Sequence, residues 1–283
     1  MIVDAHHHLW RISDGYRWLD QPELAPIRRT FTPQELRREV TGAGVDRTVL
    51  VEGGRCDQAE AEILLRYARD TDVIAGVVAW ADPTDPGLAD TLAGYRELPG
   101  GELLVGIRSQ VQGEPDPDYL DRPEVRAGLR TVAAAGLAFD LVIRADQLPS
   151  AARVAEAVPE LRFVLDHLGK PRIRAGAAGH AEWAGPLGAL AARPNVTAKL
   201  SGLVTEADWR RWTVTDLRPY VGTAVERFGP ERLMFGSDWP VCLLAARYPQ
   251  VRDALVRSLP PLSAQERDQV FARTAVEAYR LPL

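Results

Sequence analysis

The chain has 283 residues, 46% hydrophobic and 26% charged, a balance that excludes long disorder and leaves room for a large core. Its formal net charge of -5, from 34 Lys and Arg against 39 Asp and Glu, lacks the basic excess of a nucleic-acid surface. Two cysteines, Cys56 and Cys242, are too few for a disulfide framework, and the absence of a long apolar run or a signal peptide argues against a membrane protein and makes the cytoplasm the expected compartment.

Short apolar runs predict strands beginning near Ile2, Arg47, Val73, Leu104, Ala138, Arg162, Val196 and Leu233. Their spacing averages about 33 residues, the length of one strand-helix unit. The first run ends in Asp4-Ala5-His6-His7-His8. Helix starts carry capping chemistry: Thr32-Pro33-Gln34-Glu35 has a capping Thr, Pro at the first helical position and Glu three residues on, and Asp57 to Glu60 and Ser263 to Glu266 repeat the spacing. Gly42, Gly44 and Gly136 stand where helices stop. Thr48-Val49-Leu50-Val51 and most of Ala138 to Ile143 are apolar, as strands covered on both faces are. The stretches from Asp82 to Gly87 and from Gly113 to Pro123 are Pro- and Asp-rich and predict loops. The sixth run ends at His167, the seventh holds Lys199, and the eighth turns through Gly236-Ser237 to Asp238.

Eight strands alternating with helices predict an α/β fold, a (β/α)8 TIM-type barrel, with residues 1–283 as a single domain. A doubly wound open sheet is the competing architecture, but it wants a Gly-rich turn of the form G-x-G-x-x-G after an early strand, and the sequence has none.

Three of the five histidines stand together, as in a tag remnant, yet they continue the first strand directly. Alternation puts His6 and His8 on one face with Asp4, and His7 on the other. At the C-terminal end of a barrel strand His6 and His8 would point into the mouth, where barrel enzymes work. His167 would reach the same face, and His180 would lie on the surface. Since the eighth strand closes on the first, Asp238 would stand beside the histidine pair, although an Asp there also suits a turn.

The blocks Asp4-Ala5-His6-His7-His8-Leu9-Trp10, His167-Leu168-Gly169-Lys170-Pro171, Lys199-Leu200-Ser201-Gly202-Leu203 and Phe235-Gly236-Ser237-Asp238-Trp239-Pro240 together resemble the amidohydrolase superfamily. More narrowly, they resemble its branch of sugar-acid lactonases. The resemblance covers essentially the whole chain. It implies hydrolysis of an aldonolactone by water that Asp238 activates, with His6, His8, His167 and Arg108 assisting at the carbonyl. It leaves a metal open: a divalent ion, zinc by preference, would sit on His6, His8 and Asp238 with His167 as a further ligand, while other members of this branch work without one. One departure is the fifth strand, which offers Phe139-Asp140-Leu141 where metal-dependent relatives carry a further His.

For the substrate, Arg108, Lys199 and Ser201 are candidates to bond hydroxyls or a carboxylate, and Trp10 and Trp239 to face a sugar ring. Trp18 and Trp80 are expected to be packing, and Lys199 could instead pair with Glu52 or Asp140. The expected partner is a small neutral sugar lactone, and a homo-oligomer is left open. The rival readings are a decarboxylase of the same superfamily, a hydrolase of a carboxylated lactone or pyrone, and a barrel that only binds a metabolite.

Overall fold

The computed structural model describes residues 1–282. Eight parallel strands follow one another in chain order around a nearly closed barrel: β1 (Val3–His7), β2 (Arg47–Val51), β3 (Ile74–Trp80), β4 (Leu104–Ser109), β5 (Ala138–Leu141), β6 (Arg162–Leu165), β7 (Val196–Leu200) and β8 (Leu233–Phe235). The strands from β4 onward, and β2, begin at the residues predicted for them; β1 and β3 start one residue later. Around them lie α1 (Pro33–Ala43), α2 (Ala59–Arg69), α3 (Leu88–Glu97), α4 (Pro123–Ala134), α5 (Leu148–Ala157), α6 (Gly176–Ala191), α7 (Leu203–Glu206), α8 (Val214–Phe228), α9 (Tyr248–Ser258), α10 (Ala264–Asp268) and α11 (Thr274–Tyr279). Among the described residues no helix is long and apolar enough to cross a membrane.

The capping signals act as expected at α1 and α10, where Thr32 and Ser263 exchange hydrogen bonds with Glu35 and Glu266. At α2 only half the pattern forms. Asp57 Oδ1 accepts the Glu60 amide at 3.2 Å, but the Glu60 carboxylate turns inward and accepts from Gly53 N at 2.7 Å and Tyr16 Oη at 2.8 Å. That binds the loop after β2 to the body of the protein instead of capping the helix.

The barrel interior is filled by small and branched side chains such as Val3, Ala5, Val49, Val78 and Val164, together with the unbranched Met234. Its N-terminal end is closed by the C-terminal segment, in which a π-helical turn at Gln269–Arg273 leads into α11. Ala275, Ala278, Tyr279 and Leu281 of that segment pack into the same interior cluster. Gly76 of β3 is required by this plug, because a Cβ there would stand 2.9 Å from Leu281 Cδ2 and 2.8 Å from Val105 Cγ2. The plug closes the N-terminal face and leaves the C-terminal one open, where the predicted site residues lie.

Closure between β8 and β1 depends on residues beyond the short eighth strand. Asp238 N donates to His6 O at 2.8 Å, and His8 N donates to Trp239 O at 2.7 Å. The same bonds that complete the barrel therefore place Asp238 against the histidine pair. A bulge between Asp4 and His7 corrects the simple alternation along β1. Ala5 faces the interior, and His6 and His8 face the mouth. Asp4 faces the opposite way, accepting from Ser237 Oγ at 2.6 Å and Tyr248 Oη at 2.7 Å. His7 bonds Thr48 Oγ1 at 2.9 Å in the outer layer.

Candidate active site at the mouth of the barrel

The barrel brings together four of the side chains singled out from sequence. Asp238 Oδ1 lies 3.5 Å from His8 Nε2, 3.7 Å from His6 Nε2 and 4.0 Å from His167 Nε2. The two strand-one imidazoles are in contact, Nε2 to Nε2, at 3.2 Å. Asp238 and His167 both adopt left-handed backbone, with φ of 56° and 53°, a conformation that costs a non-glycine residue energy and that clusters at functional sites. Gly202 holds the room His167 needs: a Cβ on it would come 2.5 Å from His167 Nδ1. Gly236 does the same for His6, whose Cβ would lie 2.8 Å away.

Neighbours orient each ring. His8 Nδ1 meets the Val51 carbonyl at 3.0 Å, which turns its Nε2 to the mouth. His167 Nδ1 bonds Ser201 Oγ at 2.9 Å. Burial makes His6 and His167 hard to protonate, pushing His167 down to about 4 and His6 well below its ordinary value. Burial alone would raise the Asp238 carboxyl, but His167, His8 and Lys170 outweigh it and hold the group below the usual carboxylate range. At neutral pH the cluster sets the Asp238 carboxylate beside neutral imidazoles at His6 and His167.

Beneath it lies a buried charge network. Arg108 Nε donates to Glu52 Oε1 at 2.5 Å and Nη1 to Asp166 Oδ2 at 2.9 Å. Lys199 Nζ contacts Asp140 Oδ2 at 2.5 Å and Asp166 Oδ1 at 2.8 Å. Burial would discharge Arg108, yet the carboxylates of Glu52 and Asp166 hold its guanidinium charge above the ordinary range. Asp140 is raised to about 6 by burial, despite Lys199.

The substrate-contact assignments divide. Arg108 lines the mouth cavity, whose volume is about 490 Å³. Lys199 has no exposure and is consumed by the carboxylates beneath the site, the pairing with Asp140 that was the alternative. Ser201 is buried and serves His167. Trp10 and Trp239 are also buried, Trp10 donating Nε1 to Arg29 O at 2.8 Å and both packing edge-on against Phe31. None of these four lines the cavity, so each is corrected from substrate contact to support. Trp18, expected to be packing, lines the cavity instead, with Trp209, Gln110, Lys170 and Glu206. His180, expected at the surface, is half-buried between α6 and α8, its Nε2 2.9 Å from Thr223 Oγ1.

Sequence reasoning missed Asp166 and Glu206. A signal for Asp166 existed: the C-terminal ends of β2, β4, β5, β6, β7 and β8 each carry or precede a charged residue, Glu52, Arg108, Asp140, Asp166, Lys199 and Asp238. Nothing in the sequence marks Glu206, which reaches the cavity only through the short α7.

The donor set fits a divalent cation in spacing. Bonds of 2.0–2.1 Å in a tetrahedral site set ligand atoms about 3.3 Å apart, and His6, His8 and Asp238 offer edges of 3.2, 3.5 and 3.7 Å. These three form one candidate group, and His167 stands beside them.

Comparison with known proteins shows the family. The sequence profile of the amidohydrolase family matches residues 3–281. An L-fucono-1,5-lactonase of Burkholderia multivorans is 37% identical over 99% of this chain and 96% of its own, and one from Burkholderia ambifaria is 38% identical over 87% and 82%. A solved amidohydrolase from Burkholderia multivorans with bound zinc superposes with a TM-score of 0.94 at 35% identity, covering both chains completely. The chain belongs to the amidohydrolase family.

Proposed function

We propose that this protein is a hydrolase that opens the lactone ring of a neutral sugar acid. The observation that carries the reading is the sharing of Asp238 Oδ1 among His6, His8 and His167 within 4.0 Å at the mouth cavity. Two relatives named as L-fucono-1,5-lactonases support it.

Lactone hydrolysis needs a water made nucleophilic and donors for the oxygen on which charge develops. Asp238 is ionised at neutral pH and takes the proton of the attacking water. The ring oxygen leaves as an alcohol, and the proton held on Asp238 is available to it. Arg108 has guanidinium hydrogens left after Glu52 and Asp166 are satisfied, and His167 lies on the same wall, so both can bond the carbonyl oxygen. A divalent cation on His6, His8 and Asp238, with His167 beside them, would polarise the carbonyl as a Lewis acid and acidify a water.

The cavity also speaks to substrate charge. Its lining carries two cations, Arg108 and Lys170, and two carboxylates, Glu206 and Asp238. Arg108 is already neutralised from below, which favours a neutral polyhydroxylated ring over a polycarboxylated pyrone. Trp18 and Trp209 offer aromatic faces to such a ring, while Gln110 and Glu206 can bond hydroxyls.

A panel of aldonolactones followed with a pH indicator, beside substituted benzoates followed for carbon dioxide, tests the proposal. Acid release from a deoxysugar or pentose lactone is expected. Release of carbon dioxide without lactone turnover would replace the reading with a decarboxylase. Metal content set beside activity after exhaustive chelation decides whether turnover needs a cation, and activity is expected to persist.

A further inference from the structure

Lys199 is buried, does not reach the cavity, and has no part in the chemistry just described. Its Nζ nevertheless lies 3.0 Å from His6 Nδ1, with hydrogen-bond geometry. An ammonium has three hydrogens and no lone pair, so it can only donate. His6 Nδ1 is therefore the acceptor, and a neutral His6 carries its proton on Nε2. The competing partner for that nitrogen is Asp166 Oδ1 at 3.3 Å, which would require the opposite tautomer. That oxygen makes no hydrogen bond of acceptable geometry, so Lys199 prevails.

His8 supplies an independent check. Its Nδ1 faces the Val51 carbonyl at 3.0 Å, and a carbonyl can only accept, so His8 Nδ1 carries hydrogen and neutral His8 presents a lone pair at Nε2. The two Nε2 atoms face each other at 3.2 Å, which suits one donor and one acceptor. Lys199 to His6 and His8 to Val51 fix the direction of the two outer bonds, and whenever His8 is neutral the bond between the rings runs from His6 to His8. Arg108 Nη1, whose second hydrogen could turn toward His6 Nε2 and favour the opposite tautomer, stands 3.5 Å away, at the outer limit of a hydrogen bond, and so loses to the 3.0 Å contact of Lys199.

We propose that Lys199 is a positioning residue that fixes His6 of the metal-free chain in its Nε2–H tautomer, so that a cation binds through His6 only after the ring exchanges tautomer. This tautomer does not depend on the hydrolase reading.

Nitrogen-15 NMR of the metal-free full chain, labelled at histidine, reads the tautomer directly. His6 is expected with bare Nδ1 and protonated Nε2, and added zinc is expected to move the proton to Nδ1. A metal-free His6 protonated at Nδ1 overturns the proposal, whatever the protein turns over. Lys199→Met releases His6 Nδ1 to donate to Asp166, and calorimetric zinc affinity is expected to rise about tenfold, the lower end of what partners behind a ligand contribute. Unchanged affinity in a folded variant also overturns it. If that variant does not fold, the wild-type spectrum decides alone. The expected tautomer in a protein that opens no lactone upholds Lys199 and removes the hydrolase reading.

Discussion

Asp238 is the residue on which the proposed chemistry turns, because it alone among the cavity-facing groups is ionised and in contact with all three imidazoles. Asp238→Asn keeps the backbone bond to His6 O and should leave the fold intact, while kcat falls by about 10²–10⁴-fold, the usual contribution of a positioned acid or base; circular dichroism beside steady-state kinetics checks both halves. The tryptophans make a second test. Trp18→Ala should raise KM with little change in melting temperature, since Trp18 lines the cavity. Trp10→Ala should cost about 3–5 kcal/mol of stability instead, because its ring is wholly buried. The two variants therefore part company in a thermal melt run beside kinetics. Sequence alone ranked them the other way: both follow strand ends or early loops, and only the path of the chain between β1 and α1 decides which ring faces water.

At the level of elements, the loop after β2 is the wall whose stability should respond to pH. Glu60 is pushed up to about 8 by burial and then by the neighbouring Glu52 carboxylate. Between the unfolded value near 4.5 and that raised value, the folded state holds a proton that the unfolded chain has released. Stability contributed by this group is therefore present at low pH and lost as pH rises through the window. Glu60→Gln keeps an oxygen for Gly53 N and Tyr16 Oη and should flatten the fall in urea midpoint between pH 5 and 8; an unaltered slope would assign the dependence elsewhere. The sequence at this point spelled a capping signal, and the spacing was right, but the side chain serves a tertiary partner. β1 is a comparable case. Alternation correctly separated His7 from His6 and His8, yet the bulge turned Asp4 away from them. A one-residue insertion reverses the facing of everything beyond it, and no local signal announces it.

For the whole molecule, the C-terminal plug and the floor of the site are mechanically joined. Tyr279 Oη, at the end of α11, lies 2.8 and 2.9 Å from the two carboxylate oxygens of Asp140, which in turn contacts Lys199. Tyr279→Phe removes a donor from a buried charged acceptor and should cost about 1.5–3 kcal/mol in chemical denaturation.

The eight strands, their order and the Asp and His residues at the mouth could be read from the sequence, because those depend on local periodicity and on the rule that a barrel's last strand meets its first. The charge network under the site, the burial of Trp10, Trp239, Ser201 and Lys199, and the arrival of Trp18, Trp209 and Glu206 in the cavity could not. Which atoms touch across distant loops follows from packing at close range, where a side chain's partner is set by the whole surrounding wall and not by its neighbours along the chain.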